Sequence, residues 1–388
     1  MPQTQSQPKT WQKMKLAEIA QDIRESYSPT RTEKKPYVGL EHIEQQTLQL
    51  SEVGRSDETQ SAKKIFKAGD ILFGTLRPYF RKVTRPKFDG VCSTDIVVIR
   101  PTQKGDGDFL KYFIANQDFI DYASNISGGT RMPRANWKTL KETVWQLPEL
   151  DEQRIIGNIL STYDDLLENN ARRIQILEQI AQAIYKEWFV YFRFPGHEKI
   201  KMVDSKTDFD KIPDGWEVKK LGDKIKILRG KNITKNTIVS GKVPVVAGGM
   251  GPAYFHNKAN VEGPAITVSA SGANSGYIKL YHEDIWASDC SYINKNSTPF
   301  VYYYFLLLKN RQVEVTGLQR GSAQPHVYPK DLARLLIVDP PEELTHYFEK
   351  KAESTFSMIN NFQLQNQNLR QARDLLLPKL VGGEIAVK

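Results

Sequence analysis

Cysteine is nearly absent: 388 residues hold only Cys92 and Cys290, far apart in sequence. That excludes a disulfide framework and a cysteine-based zinc site, and it fits two reduced, buried thiols. No apolar run approaches the roughly 20 residues that a membrane span needs. Met1 to Thr10 is polar and has no apolar stretch of the secretory kind, so it reads as a loose tail. The six histidines are scattered without ligand spacing. No glycine-rich loop ends in Lys-Ser/Thr, so no ATP-binding motif of that type exists, and Gly248-Gly249-Met250-Gly251 reads as a loop. No carboxylate cluster of nuclease type stands out.

What is present is a net charge of +9 and a pI near 9.2, which favours an anionic partner. Hydrophobic and charged fractions of 40% and 26% are ordinary for a globular protein, and the length suffices for two or three domains. The chain also says most things twice. Shifted by 192 positions, Gly129, Pro133, Leu140 and Pro148 fall on Gly321, Pro325, Leu332 and Pro340. Near the start of each half the shift drifts to about 205, where Trp11 to Leu16 resembles Trp216 to Leu221. Such drift reflects different loop lengths in two copies of one design. A two-copy chain suits a target with two similar parts, of which DNA half-sites are the commonest.

Residues 1–148 read as a mixed domain of short strands between Gly/Pro turns, including Ile71–Phe73 and Asp95–Ile99, with one helix predicted over Phe109–Ala123. Residues 216–340 repeat the plan, with strands at Val243–Val246, Ala265–Ser269 and Tyr277–Leu280 and a helix over Thr298–Asn310. Residues 149–194 differ. Ile156, Leu160, Tyr163, Leu167, Ile174, Leu177, Ala181, Ile184 and Trp188 recur at spacings of four and three, a coiled-coil seam. Asn170 occupies that seam, where a buried Asn can fix register. Residues 195–215 read as an exposed linker. Residues 341–388 carry a second seam through Phe348, Ala352, Ile359, Phe362, Leu369 and Leu376, which Asn366 and Arg373 are expected to break and Pro378 with Gly382-Gly383 to end. The expected fold is α+β: two similar mixed α/β domains separated by two long antiparallel coiled-coil helices, a pseudo-twofold internal repeat. The alternative is that each helix pairs with another protein.

Several segments together resemble the specificity subunit of type I restriction-modification systems. They are Pro36-Tyr37-Val38-Gly39-Leu40-Glu41-His42-Ile43, Gly69-Asp70-Ile71-Leu72-Phe73-Gly74-Thr75-Leu76-Arg77-Pro78, Gly128 to Trp137 with Leu147-Pro148, and Leu150-Asp151-Glu152-Gln153-Arg154-Ile155-Ile156. Ile212-Pro213-Asp214-Gly215-Trp216-Glu217-Val218 and Leu377-Pro378-Lys379-Leu380 complete the order. The resemblance implies two target recognition domains held apart by two conserved helices that set the spacing between two DNA half-sites. It implies no chemistry in this chain. S-adenosylmethionine would be bound by two methyltransferase subunits docked on the outer helical faces, and ATP and Mg2+ by restriction subunits where these join. The setting implied is the cytoplasm of a bacterium or archaeon.

Candidate DNA-binding residues follow from charge and hydrogen-bonding type. Arg77, Arg81, Lys82, Arg85 and Lys87 crowd one segment with Tyr79 and Phe80; the alternative is a solvated hairpin face. Thr130, Arg131 and Arg134 lie in a flexible loop before the first long helix. Its copy holds Gln319, Arg320, Ser322, Gln324 and His326: a common scaffold with altered fingers, or else a plain loop. Arg229, Lys231, Asn232 and Lys235 form a second basic stretch, and Asn274 either contacts adenine or stabilises its turn. Two rival functions remain. A hidden duplicated enzyme would have to use Asp339-Pro340-Pro341, an acidic-Pro-Pro start found in adenine methyltransferases. Here Glu342 follows instead of the aromatic that stacks a flipped base, so a helix lead-in turn is the better reading. The other rival is a coiled-coil adaptor that binds only protein. A methylation-only or type IIB-like system is a variant of the main reading.

Overall fold

The computed structural model describes residues 11–30, 32–128, 131–321 and 324–387. Two compact units result: Met1–Asn170 with Gln365–Lys388, and Ala171–Leu364. Both units draw on the same two 40-residue helices, the central helix Leu150–Phe189 and the distal helix Glu342–Val381. Each begins with an acidic first turn, Asp151-Glu152 or Glu342-Glu343, and carries a lysine in the last turn, which complements the helix dipole. Among the described residues no helix is long and apolar enough to cross a membrane.

In the first unit, strand Ile96–Pro101 pairs antiparallel with Ala20–Ile23 on one side and Ile71–Gly74 on the other, and Val83–Thr84 completes the sheet. All four residues of Ile71–Gly74 are buried, which is why that stretch reads as an unbroken apolar run. A five-stranded sheet places Pro36–Val38 between Gly54–Arg55 and, in parallel, Gly90–Cys92. The helix predicted over Phe109–Ala123 is two helices, Gly107–Ala115 and Gln117–Asn125. Asn116 divides them, because its extended backbone and side-chain bond to the Gln117 N–H (2.9 Å) make it the N-cap of the second. Phe109, Phe113, Phe119 and Ile120 share one core with Ile156 and Leu160 of the central helix and Leu377, Leu380 and Val381 of the distal helix.

The second unit repeats this layout. Strand Ala265–Ser269 lies between Ile278–Tyr281 and Cys290–Asn294, with Leu228–Arg229 outermost. A three-stranded sheet pairs Val243–Val246 antiparallel with Pro252–His256 and parallel with Trp286–Ala287. The helix expected from Thr298 begins at Val301, and an unexpected second helix, Gln312–Gly317, follows it. Ile266, Val268, Tyr303 and Leu307 pack with Tyr185, Trp188, Phe348, Ala352 and Phe356 of the long helices. Both cysteines are free and buried, and burial pushes each thiol up to about 12.

Within each unit the helix pairing is antiparallel. In the first, Asn170 meets Asn366 and Asp164 meets Arg373; in the second, Arg173 covers Phe362 and Tyr185 meets Phe348. Ile156, Leu160, Leu167, Asn170, Phe348 and Ile359 are buried on the seams, whereas Tyr163, Ile174, Leu177, Ile184, Phe362, Leu369 and Leu376 are half-buried. Asn366 and Arg373 do not break the distal seam. Ala352, Ile359, Asn366, Arg373 and Leu380, seven apart, are all buried, so the seam runs through them with polar partners supplied from outside the helix. Nor does Pro378 end the helix, which continues to Val381. A proline there forfeits a single N–H, and burial of Leu377, Leu380 and Val381 holds the last turn. The linker 195–215 is mostly exposed, as expected, but it is not without structure. It contains a hairpin, Met202–Asp204 with Lys211–Pro213, that buries Ile212 and Pro213, and Phe194 just before it stacks 5.2 Å from Trp216.

Candidate nucleic-acid interface

Each unit carries a finger fixed by main-chain hydrogen bonds to the end of its central sheet. In the first, Thr75 N donates to Asp95 O (2.9 Å), Ala135 N to Thr75 O (3.0 Å), Arg77 N to Pro133 O (2.8 Å) and Arg134 N to Gly128 O (3.2 Å). In the second, Ala270 N donates to Asp289 O (3.1 Å), Val327 N to Ala270 O (3.0 Å), Gly272 N to Pro325 O (3.1 Å) and His326 N to Arg320 O (2.9 Å). Bond for bond, Arg134 therefore stands where His326 stands, Arg77 where Gly272 stands, and Asp95 where Asp289 stands. The backbone is shared and the side chains differ.

Arg77 has φ 52°, a left-handed conformation, at the place where Gly272 has φ 80°. Such a backbone costs a non-glycine residue about 1–2 kcal/mol. It persists here because the bond to Pro133 and the turn Pro78–Phe80 define it, and strain of this kind clusters at functional sites. The Arg77 guanidinium lies over Phe80 at 5.9 Å, beside exposed Tyr79. Arg131 and Arg134 are exposed, and Asp95 holds Arg134 Nε at 3.1 Å, leaving the rest of the fork free to face a guanine edge or a phosphate. Thr130 and Ser322 lie outside the described residues.

Of the other basic residues of that segment, Arg81, Lys82 and Arg85 turn inward and Lys87, though exposed, is paired with the central helix, which corrects the expectation of one phosphate-facing patch. Arg81 is half-buried, and burial lowers its pKa. Lys82 Nζ donates to Leu40 O. Arg85 donates to Gly69 O (3.0 Å) and to Asp108 (2.7 Å). Lys87 reaches Asp165 (2.9 Å) and Glu168 (2.8 Å) on the central helix, and hydrogen bonds to Glu168 and Asp165 raise its pKa.

In the second finger Arg229 reaches Asp289 (3.2 Å) and lies over the Tyr328 ring (5.5 Å), on which His326 also stacks (5.6 Å). Ser271 donates its hydroxyl to the same aspartate. Arg320 pairs with the buried Asp331 at 2.7 Å, Gln319 donates to Ser275 O (2.8 Å), and Gln324 is exposed. The main-chain carbonyl of Asn274 accepts from Tyr277 N (3.0 Å), a turn bond independent of the asparagine side chain. Lys231 and Asn232 are exposed beside this cluster. Sequence reasoning missed Asp95, Asp289 and Tyr328. The two aspartates were findable, since Ser93-Thr94-Asp95 and Ser288-Asp289 each precede the central strand in their copy.

Comparison with known proteins settles the family. The model of the type I restriction modification DNA specificity domain matches residues 8–179 and 213–369. The chain belongs to that family. The type I restriction enzyme MjaIX specificity subunit of Methanocaldococcus jannaschii is 27% identical, over 98% of this chain and 95% of its own length. The HindI specificity subunit of Haemophilus influenzae is 23% identical over 97% and 99%. In fold, the chain is similar to the S subunit of a type I restriction-modification system from M. genitalium, with a TM-score of 0.62 at 18% identity and 98% coverage of both. A specificity subunit is not itself an enzyme; the activity of these systems lies in other subunits. The fingers accordingly belong to a DNA-specificity component, and the Asp339-Pro340-Pro341 turn is the lead-in to the distal helix.

Proposed function

We propose that this specificity subunit reads a two-part double-stranded DNA site, one part with each finger. The observation that carries the reading is the pair of matched fingers, whose main-chain bonds coincide while Arg77, Arg134 and Gly128 give way to Gly272, His326 and Arg320. Two readers of different sequences need a constant frame and variable donors and acceptors, and arginine and histidine both bond base edges. Two methyltransferase subunits dock on the long helices and bind S-adenosylmethionine; restriction subunits, where present, bring ATP and Mg2+. Exposed Leu166, Ile176, Ile180, Met358 and Leu364 on those helices support such docking. The test is to exchange residues 1–148 for those of a relative and sequence the methylome. One half of the methylated motif should change while the other stays. If both change, or neither, the one-domain-one-half reading is wrong. An adaptor that binds only protein predicts no motif at all.

A further inference from the structure

Between Asp223 and Glu262 the chain has no carboxylate side chain and carries seven cations: Lys224, Lys226, Arg229, Lys231, Lys235, Lys242 and Lys258. Lys224 and Arg229 are paired, with Asp339 and Asp289. Among the described residues Lys226, Lys231, Lys235, Lys242 and Lys258 have no ion-pair partner, and all five are exposed. This segment builds the hairpin Val243–Val246 with Pro252–His256, in which Pro244 faces Phe255 and Val245 faces Tyr254. Its second strand is the outer edge of a three-stranded sheet, and Pro252, Ala253, Tyr254 and Phe255 are all exposed. The tip exposes Met250 at 59%, and Tyr254 and Phe255 follow at 43% and 54%. An edge strand with bare aromatic side chains is an aggregation liability unless something covers it.

The tip adjoins the second finger. A Cβ on Gly248 would lie 2.6 Å from Ser271 O, and the Ser271 hydroxyl is on Asp289, so only glycine allows the loop this close. The corresponding hairpin of the first unit, Pro36–Val38 with Gly54–Arg55, is different. Its connection, residues 39–53, buries Leu48 and turns onto the distal helix, with Thr47 O bonded to Arg373 and Gln49 to Arg370. Around it, residues 24–62 carry five cations and seven carboxylates.

We propose that the hairpin Val243–His256 is a second DNA-contacting element, present in the second recognition domain alone. The lysines that flank it, Lys242 and Lys258 nearest, sit on phosphates, and Met250 with Tyr254 and Phe255 wedges against a base step beside the half-site read by the second finger. The inference rests on the DNA reading above. Charge chooses the occupant: a segment without a carboxylate, with five exposed lysines in no ion pair among the described residues, fits a polyanion. Apolar side chains at the tip are the means by which architectural proteins unstack a step.

The test uses the full chain in complex with its methyltransferase subunits, on a duplex bearing its methylated motif with 2-aminopurine at steps flanking the second half-site. Binding of the wild type should raise the fluorescence several-fold. Met250→Ala with Phe255→Ser should abolish that rise and weaken binding about tenfold, leaving the salt dependence unchanged. Lys242→Ala with Lys258→Ala should keep the rise and flatten the slope of log K against log salt by about two, near 0.9 for each lost phosphate contact. Melting by circular dichroism confirms that the variants fold. Wild-type affinity and fluorescence in the apolar variant, or an unaltered slope in the lysine variant, overturns the proposal while the wild type still selects its site. A wild-type complex that selects no site overturns the DNA reading itself and the hairpin with it.

Discussion

Where a recognition domain meets the long helices, the two units solve one problem with opposite chemistry. In the first, Asp164 of the central helix receives Lys111 and Tyr112 from the domain and Arg373 from the distal helix, and Arg373, fully buried, also donates to Thr47 O at 3.0 Å. In the repeat Asp164 corresponds to Phe356, Lys111 to Phe305, Tyr112 to Leu306 and Arg373 to Ala181. Phe356 there stacks on Tyr302 (4.9 Å) and meets Phe305 edge-on (5.6 Å). Burial alone would raise the Asp164 carboxyl, but Lys111, Arg373 and Tyr112 bring it below its ordinary value. A second contrast lies about two turns earlier on the central helix. In the first unit Asp106 caps the helix Gly107–Ala115, bonding the N–H groups of Asp108 (3.0 Å) and Phe109 (2.9 Å). Gly157 of the central helix leaves room for it, since a Cβ there would lie 2.7 Å from the Asp106 carboxylate. In the second unit the equivalent of Gly157 is Glu349, which crosses over to cap the helix Val301–Asn310 through the N–H groups of Tyr302 (2.9 Å) and Tyr303 (2.8 Å). Backbone geometry is the requirement the two units share; which element supplies the polar group is free to change.

The largest effect that can break this comparison is loss of the buried guanidinium. Arg373→Ala strips Asp164 of one of its two cations and Thr47 O of its donor, and should cost about 3–5 kcal/mol in urea unfolding. Importing the other solution, Asp164→Phe with Lys111→Phe and Arg373→Ala, should recover most of that loss. A triple variant no more stable than the single one would show that the two junctions are not interchangeable.

The next effect is in pH. Burial pushes Glu349 up to about 7, against the pull of its two backbone N–H groups. The folded state therefore holds a proton that the unfolded chain releases near 4.5, so stability falls as pH rises from about 4.5 to 7, by roughly 3 kcal/mol. Asp164 has the opposite sign: its lowered carboxyl stabilises above the unfolded value, and that gain is lost as acid protonates it. Melting temperatures between pH 5 and 8 should decline in the wild type and stay flatter in Glu349→Gln. Equal slopes would deny Glu349 the role.

The smallest effects on folding fall on the fingers. Arg134→Ala should leave stability within about 0.5 kcal/mol and relax one base position by about 1–3 kcal/mol, read as altered motif preference in methylation assays. A uniform loss across all sequences would mean a phosphate contact. Arg320→Ala is a poorer probe, because it also strips a buried partner, Asp331. His326→Arg should alter one base of the other half-site only.

The helices were legible because a heptad pattern is local, and the fingers because the chain repeats itself. The junctions were not. Arg373 and Asn366 look like faults in a seam until Asp164, Thr47 and Asn170, supplied by other parts of the chain, meet them. Lys87 looks like a phosphate ligand until the central helix, 78 residues on, brings Asp165. Asn116 was misread for a nearer reason: a helix break made by a cap leaves no gap in the apolar spacing.

The first finger is held by main-chain groups and Asp95; the second adds side-chain bonds from Gln319 to Ser275 O and from Arg320 to buried Asp331. The frame of the first finger is therefore nearly indifferent to which exposed side chains it carries, and on the proposed reading a change of specificity there needs no refolding. Arg77 is the exception. A left-handed backbone admits few residue types readily, so that position has a short alphabet, and Arg77 and Gly272 are two of its letters.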